Sequence, residues 1–291
     1  MKETLQALAK DLPSNDTRVQ ALMRAQKFTL NTSGGELVCH HWGALGSHPN
    51  QTPLVLFHGG SGSWTHWIRN VLYLSQFKDV VAIDLPGMGE SDLPPNARDA
   101  DDLSPTLLEG LDQLFPKRAV DLMGFSFGAL TGGFLAASAP ERVERLVLVG
   151  TPGLVPREVA PRLRGLTIGM SHEEVLSVMH HNLRVMMLAH DESIDPFTLE
   201  LQRANVGQDR LRKRRLASGD ALLGLMPKWQ CEVHSIWGSM DTLYLNSKKA
   251  TFDVWSGCKH RSETVIDHAG HWVMYEATEA FHEALHTRVL A

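Results

Sequence analysis

Cysteine is scarce in this 291-residue chain: Cys39, Cys231 and Cys258 are odd in number and scattered. That argues against a disulfide framework and for a reducing compartment. No stretch approaches the roughly 20 consecutive apolar residues that span a bilayer. Lys2, Glu3 and Lys10 interrupt the amino terminus where a signal peptide needs an unbroken apolar run. A cytoplasmic location is the resulting expectation. An excess of positive charge is also missing, with 28 Lys and Arg against 33 Asp and Glu and a net charge of −5. Neither nucleic acid nor an anionic membrane is therefore an expected partner. No internal repeat, low-complexity tract or linker divides the chain. The glycine-rich stretch 59–62 is not followed by Gly-Lys-Ser/Thr, so it is not a phosphate loop. His40-His41 and His180-His181 are sequence neighbours that point to opposite sides of any element, with no cysteine or acidic cluster nearby, so no metal is expected.

What is present, 43% hydrophobic and 21% charged residues, suits a globular protein that needs no staple to hold a core. Phe28 to Trp42 alternates like two strands broken at Ser33-Gly34-Gly35, a hairpin turn. Short, continuously apolar runs then follow at Leu54 to Phe57, Val80 to Ile83, Ala119 to Met123 and Leu146 to Val149, separated by turns and helical segments. Such runs predict strands covered on both faces in a mostly parallel α/β sheet. From about Thr151 to Lys228 the pattern is helical and punctuated by prolines, including Glu173 to Ala189. Strands resume at Val233 to Trp237 and Glu263 to Ile266, before a helix over about Thr278 to Val289. The expected organisation is one sheet domain, residues 1–150 and 229–291, with residues 151–228 inserted as a helical lid.

Gly124-Phe125-Ser126-Phe127-Gly128 lies between a strand and a helix of small residues. Two glycines there permit a sharp strand-to-helix turn that exposes the serine hydroxyl. A serine needs a base and an acid to become a nucleophile. Asp241 follows the strand ending at Trp237, and His271 follows the last strand, giving the order Ser, Asp, His. Asp267 and Asp253 are rival acids and His268 a rival base; Gly270 favours His271 by offering a tight turn. An oxyanion hole is expected from the N–H groups of Phe127 and Gly60, with Ser61 beside it also contacting substrate. The run Arg210 to Arg215 reads as a solvated helix face, and Met170, Met179, Met186 and Met187 as a pliable wall inside the lid.

These blocks, with His58-Gly59-Gly60, Asp84 to Asp92, Trp237-Gly238 and Gly270-His271-Trp272, resemble the α/β-hydrolase superfamily. The resemblance implies an eight-stranded, mostly parallel sheet with helices on both faces and a lid after the sixth strand, and a serine hydrolase needing no cofactor. Within it the chain is similar to the meta-cleavage-product hydrolases, which cut a carbon–carbon bond in dienoates after a keto tautomer forms. Trp64, Arg69 and Trp272 support that likeness, and it implies that Arg203 binds a substrate carboxylate and that Trp272 lines the pocket. Phe125 and His66 stand where that family commonly has other polar residues. An aspartate nucleophile of the haloalkane dehalogenase kind is excluded by Ser126; cofactor-free perhydrolases share the triad. Hydrolysis of a small ester or related acyl compound is thus the leading expectation, carbon–carbon hydrolysis of a carboxylate-bearing dienoate the second, and a non-catalytic ligand-binding protein the third. Homo-oligomerisation is left open by the sequence.

Overall fold

A computed structural model of the chain describes residues 9–156, 160–244 and 254–290. Eight strands form one sheet: β1 (Gln26–Thr32), β2 (Gly35–His41), β3 (Leu54–Phe57), β4 (Val80–Ile83), β5 (Val120–Phe125), β6 (Val143–Val149), β7 (Glu232–Gly238) and β8 (His260–Ile266). Their spatial order is β1-β2-β4-β3-β5-β6-β7-β8. β2 runs antiparallel to both β1 and β4, and every other pair is parallel. This is the expected mostly parallel eight-stranded α/β sheet. β3 and β4 are continuously apolar because alternate residues enter two separate cores. Leu54 and Leu56 face α1 (Thr17–Arg24), α2 (Val71–Leu74), α7 (Val273–Glu276) and α8 (Thr278–Leu285). Val55 and Phe57 face α3 (Ser104–Leu114) and α4 (Phe127–Ser138) on the opposite side.

Between β6 and β7 the described residues hold two longer helices, α5 (His172–Asn182) and α6 (Pro196–Gly207). A capping box at Ser171 and Glu174 starts α5, which passes directly into a π-helical turn, Leu183–Met187. The helical pattern expected to reach Ala189 therefore changes its hydrogen bonding after Asn182. α6 starts at Asp195, whose carboxylate caps Thr198 N–H and also receives Arg18 of α1 at 2.6 Å. No helix among the described residues is long and apolar enough to cross a membrane.

One half-buried histidine makes the fold sensitive to acid. His282 in α8 stacks on Tyr73 with ring centroids 3.9 Å apart, and its Nε2–H donates to Asn70 Oδ1 at 3.1 Å. Burial lowers its pKa to about 4. An unfolded histidine titrates near about 6.5, so on acidification the unfolded chain takes up this proton first. Stability is therefore expected to fall as the pH drops from about 6.5 towards 4. Comparing urea midpoints at about pH 7 and about pH 5, His282→Gln should show a smaller difference than the parent. An equal difference in both proteins would remove His282 from this role.

Candidate active site

Ser126 occupies the turn between β5 and α4 with φ 49° and ψ −116°. A non-glycine residue there stores on the order of 1–3 kcal/mol of strain, which the surroundings must hold. They do so through backbone: Ser126 N–H donates to Val149 O of β6 at 2.8 Å, while Ser126 O accepts from Ala129 and Leu130. The flanking glycines are close-approach positions. A Cβ at Gly124 would meet the backbone of Gly128, and one at Gly128 would lie 2.5 Å from the carbonyl oxygens of Phe57 and His58. The turn can form only where both side chains are absent. Phe127 begins α4, so its N–H has no acceptor within the helix.

Asp241 and His271 reach Ser126 from loops after β7 and β8. His271 Nε2 lies 2.8 Å from Ser126 Oγ, and His271 Nδ1 lies 2.7 Å from Asp241 Oδ2. Both Asp241 and His271 are buried. The second carboxylate oxygen of Asp241 accepts Leu243 N–H at 3.0 Å, which fixes its rotation. With Nδ1–H donated to Asp241, Nε2 is free to accept the serine proton. Glycines again make room. A Cβ at Gly150 would sit 3.0 Å from the His271 ring, and one at Gly238 would strike the carbonyls of Ala269 and Gly270.

Gly270 differs from the sequence expectation. Its φ is not positive, and the left-handed residue of this loop is His268 at φ 57°. Gly270 is needed instead because a Cβ would lie 2.8 Å from Ala189 N and 2.9 Å from Met187 O, at the end of the π-turn. The rivals Asp267 and His268 are exposed, and Asp253 lies outside the described residues, as does the chain before Ala9.

Opposite Ser126 runs the glycine loop after β3. His58 Nδ1–H donates to Gly59 O at 2.7 Å while its Nε2 accepts Leu85 N–H at 2.8 Å. His66 Nδ1 accepts Gly59 N–H at 3.1 Å. Burial, with the nearby His58 and His271 adding to it, holds His66 well below the ordinary histidine range and so keeps that acceptor unprotonated. Two histidines thus fix both polar groups of Gly59 and set the direction of the Gly60 peptide. Ser61, at φ 50°, turns its hydroxyl away to Asp209 Oδ2 at 2.6 Å. A cavity of about 210 Å³ lies between this loop and Ser126, with Gly60, Ser61, Phe127, Met186, Met187 and His271 among its walls. Pockets for drug-sized ligands are about 300–1,000 Å³, so the space suits a small substrate.

Two expected substrate contacts lie elsewhere. Arg203 is outside the cavity lining, and its Nε pairs with Glu200 Oε2 at 2.6 Å, one helical turn away. Trp272 is fully buried behind the base: its Nε1–H donates to His66 O at 2.9 Å and its ring stacks on Tyr275. It is packing, not pocket wall. The Arg210–Arg215 run, expected as a solvated helix face, is not helical. Arg210, though exposed, donates to the carbonyls of Gly89 and Ser91. Arg214 enters the cavity, where its Nη2 lies 2.9 Å from both Ser61 Oγ and Asp209 Oδ2. Arg214 and Asp209 are the site residues that sequence reading missed. Their only signal was the charge run itself, which does not say which guanidinium turns inward.

Comparison with known proteins points to the same fold. A family model described as alpha/beta hydrolase fold matches residues 52–172. A 2-hydroxy-6-oxononadienedioate/2-hydroxy-6-oxononatrienedioate hydrolase of Paraburkholderia phymatum is 27% identical, over 93% of this chain and 97% of that protein. The dihydrolipoyllysine-residue acetyltransferase component of the acetoin cleaving system of Pseudomonas putida is 29% identical over 87% of this chain, which spans 66% of its length. Naproxen esterase from Bacillus subtilis shares the fold, with a TM-score of 0.73 at 20% identity, covering 93% of this chain and 95% of the other.

Proposed function

We propose that this chain, matched over residues 52–172 by the alpha/beta hydrolase fold model, is a hydrolase that cleaves a small carboxylic ester or related acyl compound with Ser126 as nucleophile. The observation that carries this reading is the continuous relay from Ser126 Oγ to His271 to Asp241, at 2.8 and 2.7 Å. His271 takes the serine proton as Oγ attacks the carbonyl, and Asp241 stabilises the imidazolium that results. The N–H groups of Phe127 and Gly60 face the developing oxyanion, each worth on the order of 3 kcal/mol. The protonated His271 then gives its proton to the leaving alkoxide. Water, deprotonated by the same His271, attacks the acyl-serine and releases the acid. Every step uses side chains and water, so the proposal calls for no cofactor.

The charge of the cavity favours a neutral substrate. Arg214 is its cationic side chain among the lining residues, and Asp209, itself buried, lies 2.9 Å away and balances it. A substrate carboxylate would have to compete with Asp209 for the guanidinium.

Carbon–carbon hydrolysis of a dienoate is the second reading, favoured by the 27% identical relative whose name states hydrolysis of a dienedioate and whose length the chain matches. In that case Arg214, not Arg203, is the residue placed to meet the carboxylate. The two readings separate on a panel of short p-nitrophenyl esters and a ring-cleavage dienoate. We expect faster turnover of the ester, and Arg203→Ala should leave kcat/KM for both substrates within about twofold, because its part-buried pair with Glu200 lies outside the cavity lining. Arg214→Leu should lower kcat/KM for both. If it spares the ester and reduces dienoate turnover by about 10- to 100-fold, the value of a charge-assisted hydrogen bond, the second reading replaces the first.

A further inference from the structure

The loop that carries His271 is bound to the inserted segment as well as to the sheet, and one carboxylate joins the two. Glu276, at the end of α7, accepts three backbone N–H groups. Its Oε2 takes Gly270 N–H at 2.6 Å and Ala189 N–H at 2.9 Å, and its Oε1 takes His190 N–H at 2.9 Å. Gly270 immediately precedes His271, while Ala189 and His190 lie just beyond the π-turn Leu183–Met187. Further bonds join the same partners. Trp272 N–H donates to Met187 O at 2.7 Å, and His190 Nε2 lies 2.7 Å from His268 O. Thr242, the residue after Asp241, donates its hydroxyl to Val185 O at 3.0 Å. The strap 185–190 therefore touches the base loop and the acid loop at once, and its Met186 and Met187 form part of the cavity wall.

We propose that Glu276 is a positioning residue: its carboxylate fixes the lid strap and the peptide before His271 as one unit, so that the base is aligned on Ser126 only when the strap is seated. Two features of the geometry support this over simple packing. Gly270 approaches the strap so closely that a Cβ there would meet Ala189 N at 2.8 Å, so the strap cannot shift without displacing the base loop. The three donors also converge on one anion, and hydrogen bonds to a charged acceptor are roughly twice as strong as neutral ones. Displacements of about 1 Å in a catalytic group can cost on the order of 100-fold in rate.

The proposal rests on Ser126 and His271 acting as the proposed function assigns, and its test keeps the two apart. Glu276→Gln preserves size but must turn an NH2 group towards at least one of the three N–H donors. We expect kcat for a short p-nitrophenyl ester to fall about 10- to 100-fold with KM changed less than about threefold. The rate of Ser126 labelling by an organophosphonate should fall in parallel. The far-downfield proton NMR signal of the His271–Asp241 hydrogen bond, which needs no substrate, should broaden or disappear. His190→Ala is the comparison, because it removes a side-chain bond between strap and base loop yet leaves the three bonds to Glu276; it should lower thermal stability and leave kcat unchanged. If Glu276→Gln yields only insoluble protein, Glu276→Asp, which withdraws the carboxylate by one methylene, is expected to show the same losses. A Glu276 variant with parental kcat and an unchanged NMR signal overturns the proposal. So does an equal loss of kcat in His190→Ala, which would mean that any loosening of the strap is enough. A parent protein that neither turns over esters and dienoates nor labels would instead remove the proposed function, and the NMR signal alone would then decide the role of Glu276.

Discussion

Ser126→Ala is expected to lower kcat for a short p-nitrophenyl ester by on the order of 10⁴-fold or more and to abolish organophosphonate labelling, with little change in stability. The size of the effect follows from the relay. Ser126 Oγ is the atom 2.8 Å from His271 Nε2, and without it no covalent intermediate can form; what remains is the catalysis that binding and the oxyanion donors provide. Because the three residues act as a unit, Asp241→Asn should lose about as much. The amide cannot serve as a negatively charged acceptor for His271 Nδ1–H, and the imidazole turns to the wrong tautomer. Ser126→Ala followed by Asp241→Asn should then cost little beyond the first change. Steady-state kinetics on the purified variants, beside urea unfolding to show that they remain folded, measures this. Retention of more than about a tenth of parental kcat in Ser126→Ala would sink the serine mechanism and leave a ligand-binding role as the better account. Alanine also lacks the hydroxyl without relieving φ 49°, so the strain of the turn remains.

Gly128→Ala is expected to produce the largest loss of stability of any single methyl addition discussed here, about 3 kcal/mol or more, or insoluble protein. The added Cβ would lie 2.5 Å from two backbone oxygens, those of Phe57 and His58. Backbone cannot rotate out of the way as a side-chain tip can, so α4 must move off the end of β3. That motion also separates the N–H of Phe127 from that of Gly60, so the variant should lose activity even in its folded fraction. Gly207→Ala is the control. It ends α6, nothing lies within 4 Å of its Cβ position, and replacing a helical glycine there should be neutral or stabilise by up to about 1 kcal/mol. Urea denaturation of both variants measures the contrast, and similar midpoints would show that the elbow tolerates a shift not evident from its geometry.

Much of the fold was legible because its signals are local. β3 and β4 match their apolar runs residue for residue; β5 starts one residue later and ends two later than its run, while β6 to β8 extend one to three residues beyond theirs at one end or both. The helix after Ser126 begins directly at Phe127, because the strained serine itself occupies the cap position. The two readings that failed on the substrate side involve long or large side chains, whose reach the sequence does not constrain. Arg203 found an acid one turn away on its own helix, whereas Arg214 found Asp209 and Ser61 only because the chain after α6 folds back over the glycine loop.

Sequence alone was enough to single out the candidate nucleophile, since Gly124, Ser126 and Gly128 sit within five residues and the steric need for two glycines is a property of the turn itself. It also ordered the candidate acid and base, because each follows a strand that ends at the same edge of the sheet. Only the tertiary structure decided which groups surround them. Glu276 meets Ala189 and His190 from 87 and 86 residues away, and Arg214 meets Ser61 from 153. Such contacts depend on how the inserted helices settle on the sheet, and no local pattern of residues encodes that docking.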